Sequence, residues 1–451
     1  MSRHEPFTFQ SGPELLRKAD ELGSELPFRD SVSPLFESLA IGSKTLTNRL
    51  AVQPMEGFDA DTDGSPGELT FRRYQRYAEG GCSLIWFEAT SVVSEGRSNP
   101  HQLMLHTRNL DSFKRLVEET RRSAQKVFGS SYEIFLVIQL THSGRYSQPE
   151  GKPLRQVADF NPNLDRKQED VRILSDDELD RYQDEYVKAA RLAEQAGFDA
   201  VDIKACHGYL VNELLAARTR KSSRYGETFE NRTRFLSEVV QKVRDRTPGL
   251  FLAVRLSAFD GIPGGFGVSD DNPEDIDLSE PKELVRRLAQ SSCSLFNITV
   301  GNPYEKPHLG RPFDRPLLGT PLPEEHPLKG ITRLLRITSA FQKEFPDIPC
   351  VGTGYSWLRH FFPNVGAAVL QRGEASLIGL GRSSFAYPDA PKDLMNSGAL
   401  DPAKVCISCS RCTELMRNGY ESGCVMRDKE IYGKLYQRLK NKGRENEEKH
   451  D

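Results

Sequence analysis

The sequence predicts a closed barrel of eight parallel strands, each followed by a helix, which is the (β/α)8 TIM barrel. Eight short apolar runs rich in β-branched and aromatic residues recur between residues 49 and 381, and such runs are typical of parallel strands buried on both faces. Segments with helical periodicity separate them. No Gly-x-Gly-x-x-Gly follows the first run and no break divides the runs into two half-sheets, so an open doubly wound sheet is disfavoured.

The strands and helices can be assigned in order along the chain. The longest helical segment, DELDRYQDEYVKAARLAEQAG, begins near Ser175, three residues before Glu178, a spacing typical of a capping box. The predicted strands are RLAVQP (49–54), LIWFEAT (84–90), IFLVIQL (134–140), DAVDIK (199–204), FLAVRLS (251–257), LFNITV (295–300), PCVGTG (349–354) and SLIGLG (376–381).

Three regions follow from this assignment. Residues 1–32 form an N-terminal extension with one amphipathic segment, GPELLRKADELG. Residues 33–396 form the barrel. Residues 397–451 form a cysteine-rich segment followed by a helix that ends in a charged tail.

Composition excludes several classes of protein. The chain has 451 residues, 37% hydrophobic and 28% charged, with a formal net charge of -3, so no overall field favours nucleic acid or a membrane surface. No apolar run reaches the roughly 18 residues of a membrane span. The N-terminus lacks the apolar core of a signal peptide, which predicts a cytoplasmic protein. A homo-oligomer is compatible with this composition.

Polar residues cluster at the ends of the predicted strands. In a TIM barrel the carboxyl ends of the strands meet at one face, where active sites lie. The last two strands end in glycine-rich turns, which let backbone N–H groups approach a phosphate closely or serve only as tight turns. The polar strand-end residues are Gln53, Glu56, Gln139, His142, Arg145, Lys204, His207 and Arg255.

Four of the eight cysteines crowd into the C-terminal segment as Cys406-x2-Cys409-x2-Cys412-x11-Cys424. A reducing compartment favours metal binding over disulfides for such a group. Three thiols followed by a distant fourth are typical of a [4Fe–4S] cluster, whereas structural zinc favours two separated pairs and is the alternative.

These segments resemble the old yellow enzyme family, specifically its iron–sulfur branch, which includes 2,4-dienoyl-CoA reductase and trimethylamine dehydrogenase. The matches run in the family's order over roughly residues 33–395. They include LTNRLAVQPM (46–55), VIQLTHSGR (137–145), HGYLVNELL (207–215), VRLS (254–257) and IGLGRSSFAYPD (378–389).

The resemblance implies that the barrel binds FMN. Gln139 would pair with the pyrimidine edge of the flavin, and Arg255 would place positive charge beside N1 and O2. The remaining flavin contacts would be Pro54, Met55 and Ala89 along the ring, and Gly354, Gly381 and Arg382 at the phosphate.

The resemblance also implies catalytic residues. Tyr209 matches the tyrosine that donates a proton, and His207 matches a residue that holds the substrate carbonyl. Lys204 departs from the family's His or Tyr and would polarise a carbonyl, hold a carboxylate or pair with an acid. Glu56 stands where relatives carry a small residue. Tyr304 and His308 are further candidates for the substrate pocket.

The expected activity is reduction of an activated C=C bond, in an enone or enoate, by hydride transfer from FMN. The cluster would relay electrons from an external reductase subunit or ferredoxin, with NAD(P)H as an indirect source. Direct use of NAD(P)H stays open. The alternatives are an amine dehydrogenase or demethylase of the trimethylamine dehydrogenase type and, from another class, a non-catalytic electron-transfer subunit. Lys204 disfavours a cationic substrate, and His207 with Tyr209 disfavours the non-catalytic subunit.

Overall fold

The predicted TIM barrel is confirmed in the computed structural model, which describes residues 3–447. Strands in this range are β1 Leu39–Ile41, β2 Lys44–Leu46, β3 Leu50–Val52, β4 Leu84–Ser91, β5 Phe135–Thr141, β6 Gln156–Val157, β7 Arg172–Ile173, β8 Ala200–Ile203, β9 Phe251–Ser257, β10 Cys293–Thr299, β11 Cys350–Gly352 and β12 Leu377–Leu380. Within the described chain, eight of them close into a barrel in the order β10-β11-β12-β3-β4-β5-β8-β9. All neighbouring pairs in that barrel are parallel. Each of the eight predicted apolar runs overlaps one barrel strand, with ends that differ by a few residues.

Helices surround the barrel, and several neighbouring outer helices contact one another. The capping box is confirmed, because the Ser175 hydroxyl accepts the Glu178 N–H and the Glu178 carboxylate accepts the Ser175 N–H at 2.9 Å. The α-helices of the described range are α1 Gly12–Glu21, α2 Glu68–Glu79, α3 Leu110–Phe128, α4 Asp176–Ala196, α5 Leu210–Leu215, α6 Phe229–Arg246, α7 Ser279–Gln290, α8 Pro307–Gly310, α9 Pro327–Glu344, α10 Phe362–Gln371, α11 Arg382–Ala386, α12 Ala390–Ser397, α13 Arg411–Arg417 and α14 Lys434–Glu447.

The barrel interior is apolar at the amino ends of its strands. Ala51, Leu84, Trp86 and Phe135 belong to one buried cluster there, which the β1–β2 hairpin closes with Ile41 and Leu46. A larger cluster fills the space between the strands and the outer helices. Water is therefore excluded from one end of the barrel, and the polar strand-end residues lie at the other.

The N-terminal extension and the C-terminal segment both dock on the barrel. Asp314 accepts the Phe7 N–H at 3.1 Å and the Trp357 indole N–H at 2.6 Å. The Ser422 N–H donates to the Gly57 carbonyl at 2.6 Å, which fixes the cysteine-rich segment over the carboxyl end of β3. The predicted C-terminal helix is α14, and residues 448–451 of the charged tail lie outside the described residues. No helix between residues 3 and 447 is both long and apolar enough to cross a membrane.

Candidate active site

Two adjoining cavities of about 140 and 550 Å³ open at the carboxyl ends of the barrel strands. Their shared wall includes Pro54 and Met55 after β3, His207 after β8, Arg255 on β9 and Arg311. The sequence predicted four of these five residues for the site. The strand ends therefore form one continuous cleft, as expected for a TIM barrel.

Gln139 lines the larger cavity on β5 and is held in place by a buried carboxylate. The Gln139 Nε2 donates to Asp202 Oδ2 at 2.6 Å, and the Trp86 indole N–H donates to the same oxygen at 2.9 Å. Burial raises the pKa of Asp202 to about 6, and these donors oppose the rise. The bond to Asp202 uses one amide hydrogen of Gln139 and leaves its other hydrogen and its oxygen for a ligand.

Arg255 is a buried cation at the floor of both cavities. Its side chain is 7% exposed, and its Nε has no hydrogen-bond partner among the described residues. The Arg255 backbone N–H donates to Asp202 Oδ1 at 2.6 Å, which fixes this point of the strand. The alternative of an ion pair within the barrel wall is not seen in the described part of the chain. A buried guanidinium with an unpaired N–H group is suited to bind a ligand that offers several hydrogen-bond acceptors.

The glycine turns after β11 and β12 line the smaller cavity. Gly354 has a φ of 101°, a left-handed conformation that favours glycine. A Cβ on Gly381 would lie 3.2 Å from the Met55 sulfur, so glycine keeps the turn open. Arg382 donates from Nη2 to the Pro312 carbonyl at 2.6 Å, and its buried Nη1 lacks a partner within residues 3–447, as does Thr353 Oγ1.

Ala89 and His308 do not reach these cavities. Ala89 is buried on β4, and its carbonyl accepts a hydrogen bond from Gln102 Nε2 at 3.0 Å. His308 lies on α8 between Pro307 and Gly310, which line the smaller cavity, but His308 itself lines neither cavity. Tyr304, by contrast, lines the larger one as expected.

Glu56, Lys204, Tyr209 and Tyr304 form a cluster in the larger cavity, which we call the phenol wall. The Tyr209 hydroxyl donates to Glu56 Oε1 at 3.2 Å and lies 3.3 Å from the Tyr304 hydroxyl. Lys204 Nζ lies 3.5 Å from the same Glu56 oxygen and 3.6 Å from the centre of the Tyr209 ring. Of the roles expected for Lys204, the structure contains the pairing with an acid.

Burial controls the protonation of this wall. It raises the pKa of Tyr209 well above the ordinary value, with the Glu56 carboxylate adding to the rise. Burial also lowers the pKa of Lys204, and Glu56 opposes that change. The pKa of His207 falls well below its usual value because of burial and the neighbouring cations Arg255 and Lys204. Tyr209 is thus a neutral phenol and His207 a neutral imidazole near pH 7.

The turn that carries His207 and Tyr209 is strained and has its own support. His207 has a φ of 66°, which is uncommon for a residue other than glycine. The Gly208 N–H donates to Asn212 Oδ1 at 2.7 Å, and Asn212 Nδ2 donates to Asp260 at 3.2 Å. The chain Asp260–Asn212–Gly208 therefore holds the turn that presents His207 and Tyr209 to the cavity.

Folding brings the four cysteines of the C-terminal segment near one another, and Cys412 also lines the larger cavity. Burial raises the pKa of Cys412 to about 11 and that of Cys424 to about 12, and nearby thiols add to both shifts. All four are free thiols. Within residues 3–447, no three side chains of His, Cys, Asp or Glu already stand in an arrangement that would hold a metal ion.

Sequence reasoning missed Asp202, Arg311 and Arg417. Asp202 interrupts the apolar run DAVDIK, and a charge inside a buried strand is a usable signal of a buried partner. Arg311 lies after α8, and Arg417 is at the end of α13. Neither belongs to a spacing or motif, so only the folded chain brings them to the cavity.

Comparison with known proteins agrees with this geometry. Residues 34–299 match the NADH:flavin oxidoreductase / NADH oxidase family. The chain is 31% identical over 262 residues to an NADPH dehydrogenase of Clostridium acetobutylicum, covering 57% of this chain and 73% of that protein.

Solved structures show the same fold. A 2-naphthoyl-CoA reductase in complex with 2-naphthoyl-CoA has a TM-score of 0.70 at 20% identity, covering 90% of this chain. This chain spans only 58% of that reductase. An old yellow enzyme homologue from Zymomonas mobilis has a TM-score of 0.62 at 23% identity, covering 87% of this chain and 98% of that one.

The residues present fit a flavin mononucleotide. Arg255 and Arg382 each have a buried N–H without a partner in the described chain, and Thr353 has an unpaired hydroxyl beside the open glycine turn. A phosphate and the acceptor edge of an isoalloxazine ring would satisfy such groups. The chain belongs to the NADH:flavin oxidoreductase / NADH oxidase family and is an FMN-dependent oxidoreductase.

Proposed function

We propose that this enzyme reduces an activated C=C bond next to a carbonyl or carboxyl group. One observation carries the proposal: a neutral phenol, Tyr209, faces the same cavity as the unpaired Arg255. Reduction of such a bond requires a hydride at one carbon and a proton at its neighbour. Tyr209 is suited to donate the proton, and it lies in the cavity beside the expected position of the flavin.

The flavin would be held by residues from several strands. Arg255 and Gln139 would contact the pyrimidine edge of the flavin, and Pro54 and Met55 would contact its ring. The phosphate would be bound by Gly354, Gly381 and Arg382. Asp202 would act through Gln139 by fixing its amide. Ala89 stays a prediction, since its carbonyl is engaged by Gln102. When bound, FMN supplies the hydride.

The proton would come from Tyr209. Its hydroxyl is 3.3 Å from the Tyr304 hydroxyl, which can donate a hydrogen bond to the phenolate left after transfer and return a proton to it, and Lys204 Nζ lies 3.6 Å from the ring centre, where its charge stabilises that phenolate. His207, neutral and at the wall of both cavities, would donate a hydrogen bond to the substrate carbonyl. Lys204 would add positive charge beside that carbonyl.

An amine dehydrogenase is the main rival reaction. It would bind a cation, and the larger cavity contains Lys204, Arg255, Arg311 and Arg417 against the single carboxylate of Glu56. That excess of positive charge favours an anionic or neutral ligand over an ammonium group. The non-catalytic rival would need no proton donor, yet Tyr209 is kept protonated and exposed to the cavity.

We further propose that Cys406, Cys409, Cys412 and Cys424 hold a [4Fe–4S] cluster in the segment 397–451, next to the barrel of residues 33–396. Support comes from the spacing, from the free state of the four thiols and from the position of Cys412 at the larger cavity. Such a cluster transfers single electrons, so a separate reductase or ferredoxin would be the donor, with NAD(P)H as direct or indirect source. A cytoplasmic location and a homo-oligomer remain predictions.

The test uses anaerobic holoenzyme reduced with dithionite. Mixed with a small panel of enones and enoates, it should oxidise its flavin and release the saturated product, identified by mass spectrometry. Oxidised holoenzyme mixed with tertiary amines should stay oxidised. Flavin reduction by an amine, with no reaction of any unsaturated compound, would reject the proposal in favour of the rival.

The cluster has its own assay. The wild-type chain should contain about four iron and four sulfide per chain, and Cys409→Ser should lose most of both while retaining flavin. Zinc in place of iron after anaerobic purification would contradict the cluster.

A further inference from the structure

Four arginines line the continuous cavity without a carboxylate partner in the described chain. They are Arg255, Arg311, Arg382 and Arg417. The acid on this surface, Glu56, lies 3.5 Å from Lys204 and is thereby already compensated. The cavity therefore has an excess of fixed positive charge.

The proposed function accounts for three of these cations. Arg255 lies where the flavin ring is expected, and Arg382 lies where its phosphate is expected. Arg311 lines the same small cavity as Arg382, where the phosphate is expected, and its Nη1 donates to Thr413 at 3.0 Å. The proposed function assigns no role to Arg417, which lines the larger cavity beside Tyr304 of the phenol wall.

Arg417 is held against Tyr304 by the end of α13. Its Cζ lies 3.9 Å from the centre of the Tyr304 ring, and its Nη2 donates to the Pro303 carbonyl at 3.3 Å. Tyr146 stacks on Tyr304 at 3.6 Å with an interplanar angle of 7°. Because both groups lie over the ring, they occupy opposite faces. The remaining N–H groups of the guanidinium are then available at the cavity edge, one aromatic ring away from Tyr209.

We propose that Arg417 binds an anionic group of the substrate, remote from the C=C bond. This inference rests on the proposed reduction and narrows it to unsaturated carbonyl compounds that carry a carboxylate at their far end. The activated end would lie at Tyr209 and His207, and Tyr304 would separate it from the carboxylate. The cysteine-rich segment would then supply a specificity-determining residue as well as thiols.

The test compares a linear enone with a carboxylate at its far end and the methyl ester of that compound, using flavin-loaded enzyme. For Arg417→Gln we expect the KM of the acid to rise roughly three- to tenfold, the range expected for a half-exposed charge-assisted hydrogen bond. The kcat of the acid and both constants of the ester should stay close to wild type. Arg417→Lys should restore part of the preference.

A matched control removes the same charge elsewhere. Arg438 is exposed on α14 and lines neither cavity, so Arg438→Gln should leave the ratio of the two KM values unchanged. Calorimetric binding of the saturated keto acid to oxidised holoenzyme gives a readout without turnover. Its dissociation constant should rise by a similar factor in Arg417→Gln and with added salt.

The outcomes separate this inference from the proposed function. Equal KM values for acid and ester in the wild type, or equal losses for both in Arg417→Gln, would overturn the anion site while leaving the reduction intact. Arg417-dependent binding of the saturated acid without turnover of either enone would support the anion site and reject the reduction.

Discussion

Two walls of the cleft formed by the two adjoining cavities differ in the kind of polar group that they present. One, the arginine wall, consists of Arg255, Arg311, Arg382 and the glycine turns after β11 and β12. Its polar groups are permanently charged guanidiniums and the backbone of glycine turns that a ligand can approach closely. The phenol wall, in the larger cavity, combines the carboxyl group of Glu56, the amine of Lys204 and the phenols of Tyr209 and Tyr304, all of which can gain or lose a proton.

The difference indicates a division of tasks. Fixed charge without a partner stabilises a bound anion but cannot transfer a proton at neutral pH, because a guanidinium stays protonated. The phenol wall is nearly balanced in charge and contains a proton that can move. Changes in the arginine wall should therefore alter flavin affinity, and changes in the phenol wall should alter turnover.

The largest effect is expected for Tyr209→Phe. Removal of the proton donor should lower kcat for an enone by roughly a hundredfold or more, as is typical for loss of a general acid. Flavin content and KM should change little. Because the pKa of Tyr209 lies well above its ordinary value, wild-type kcat should not fall as the pH rises from 6 to 9 through ionisation of this phenol.

A second phenol serves as the control for that variant. Tyr186 is buried on α4, away from both cavities, and its hydroxyl has no partner among the described residues. Tyr186→Phe should retain wild-type kcat. Equal rates for Tyr209→Phe and Tyr186→Phe would show that Tyr209 is not the acid.

A smaller effect, confined to binding, is expected for Arg255→Met. Loss of the buried guanidinium should weaken FMN roughly 10- to 100-fold, in line with a charged hydrogen bond. Fluorescence titration of the apoprotein with FMN measures it. Arg234 lies on α6 and lines neither cavity, so Arg234→Met should bind FMN like the wild type. An unchanged FMN affinity in Arg255→Met would contradict the role of the arginine wall in flavin binding.

The smallest effect concerns the support beneath the phenol wall. Burial raises the pKa of Asp260 to about 6 from an ordinary value near 3.8. The folded state thus holds this proton more tightly, so its contribution to stability is present below about pH 4 and is lost as the pH rises through 6. Relative to Asp260→Asn, the wild type should lose about 1–2 kcal/mol of unfolding free energy between pH 4 and 7.

Urea unfolding at a series of pH values measures this loss. Asp271→Asn, at an exposed position, should keep the wild-type pH dependence. If the unfolding free energies of the wild type and Asp260→Asn changed in parallel with pH, burial would not raise the pKa of the Asp260 carboxyl.

The sequence predicted the barrel well because the signal is local. Each apolar run such as LIWFEAT becomes a strand, since its residues are buried on both faces, and the strand ends then meet at one face. That rule alone brought Gln139, His207 and Arg255 into one site. It could not give the side-chain contacts, because the pairing of Lys204 with Glu56 depends on distances across the barrel.

The positions of Arg417 and Ala89 could not be predicted from the sequence either, because they depend on contacts between distant segments. Arg417 belongs to a segment that is fixed to the barrel by long-range contacts without a sequence pattern, such as Ser422 to Gly57 and Arg76 to Asp428. Ala89 was expected at the flavin, but Gln102 covers its carbonyl. Both depend on how distant segments meet after folding.

The most direct test of the account is the flavin content and visible spectrum of anaerobically purified protein, measured after incubation with FMN. We predict about one FMN per chain, with absorbance bands perturbed by a buried, positively charged site. A chain that stays colourless and binds no FMN while remaining folded by circular dichroism would contradict the assignment of both walls.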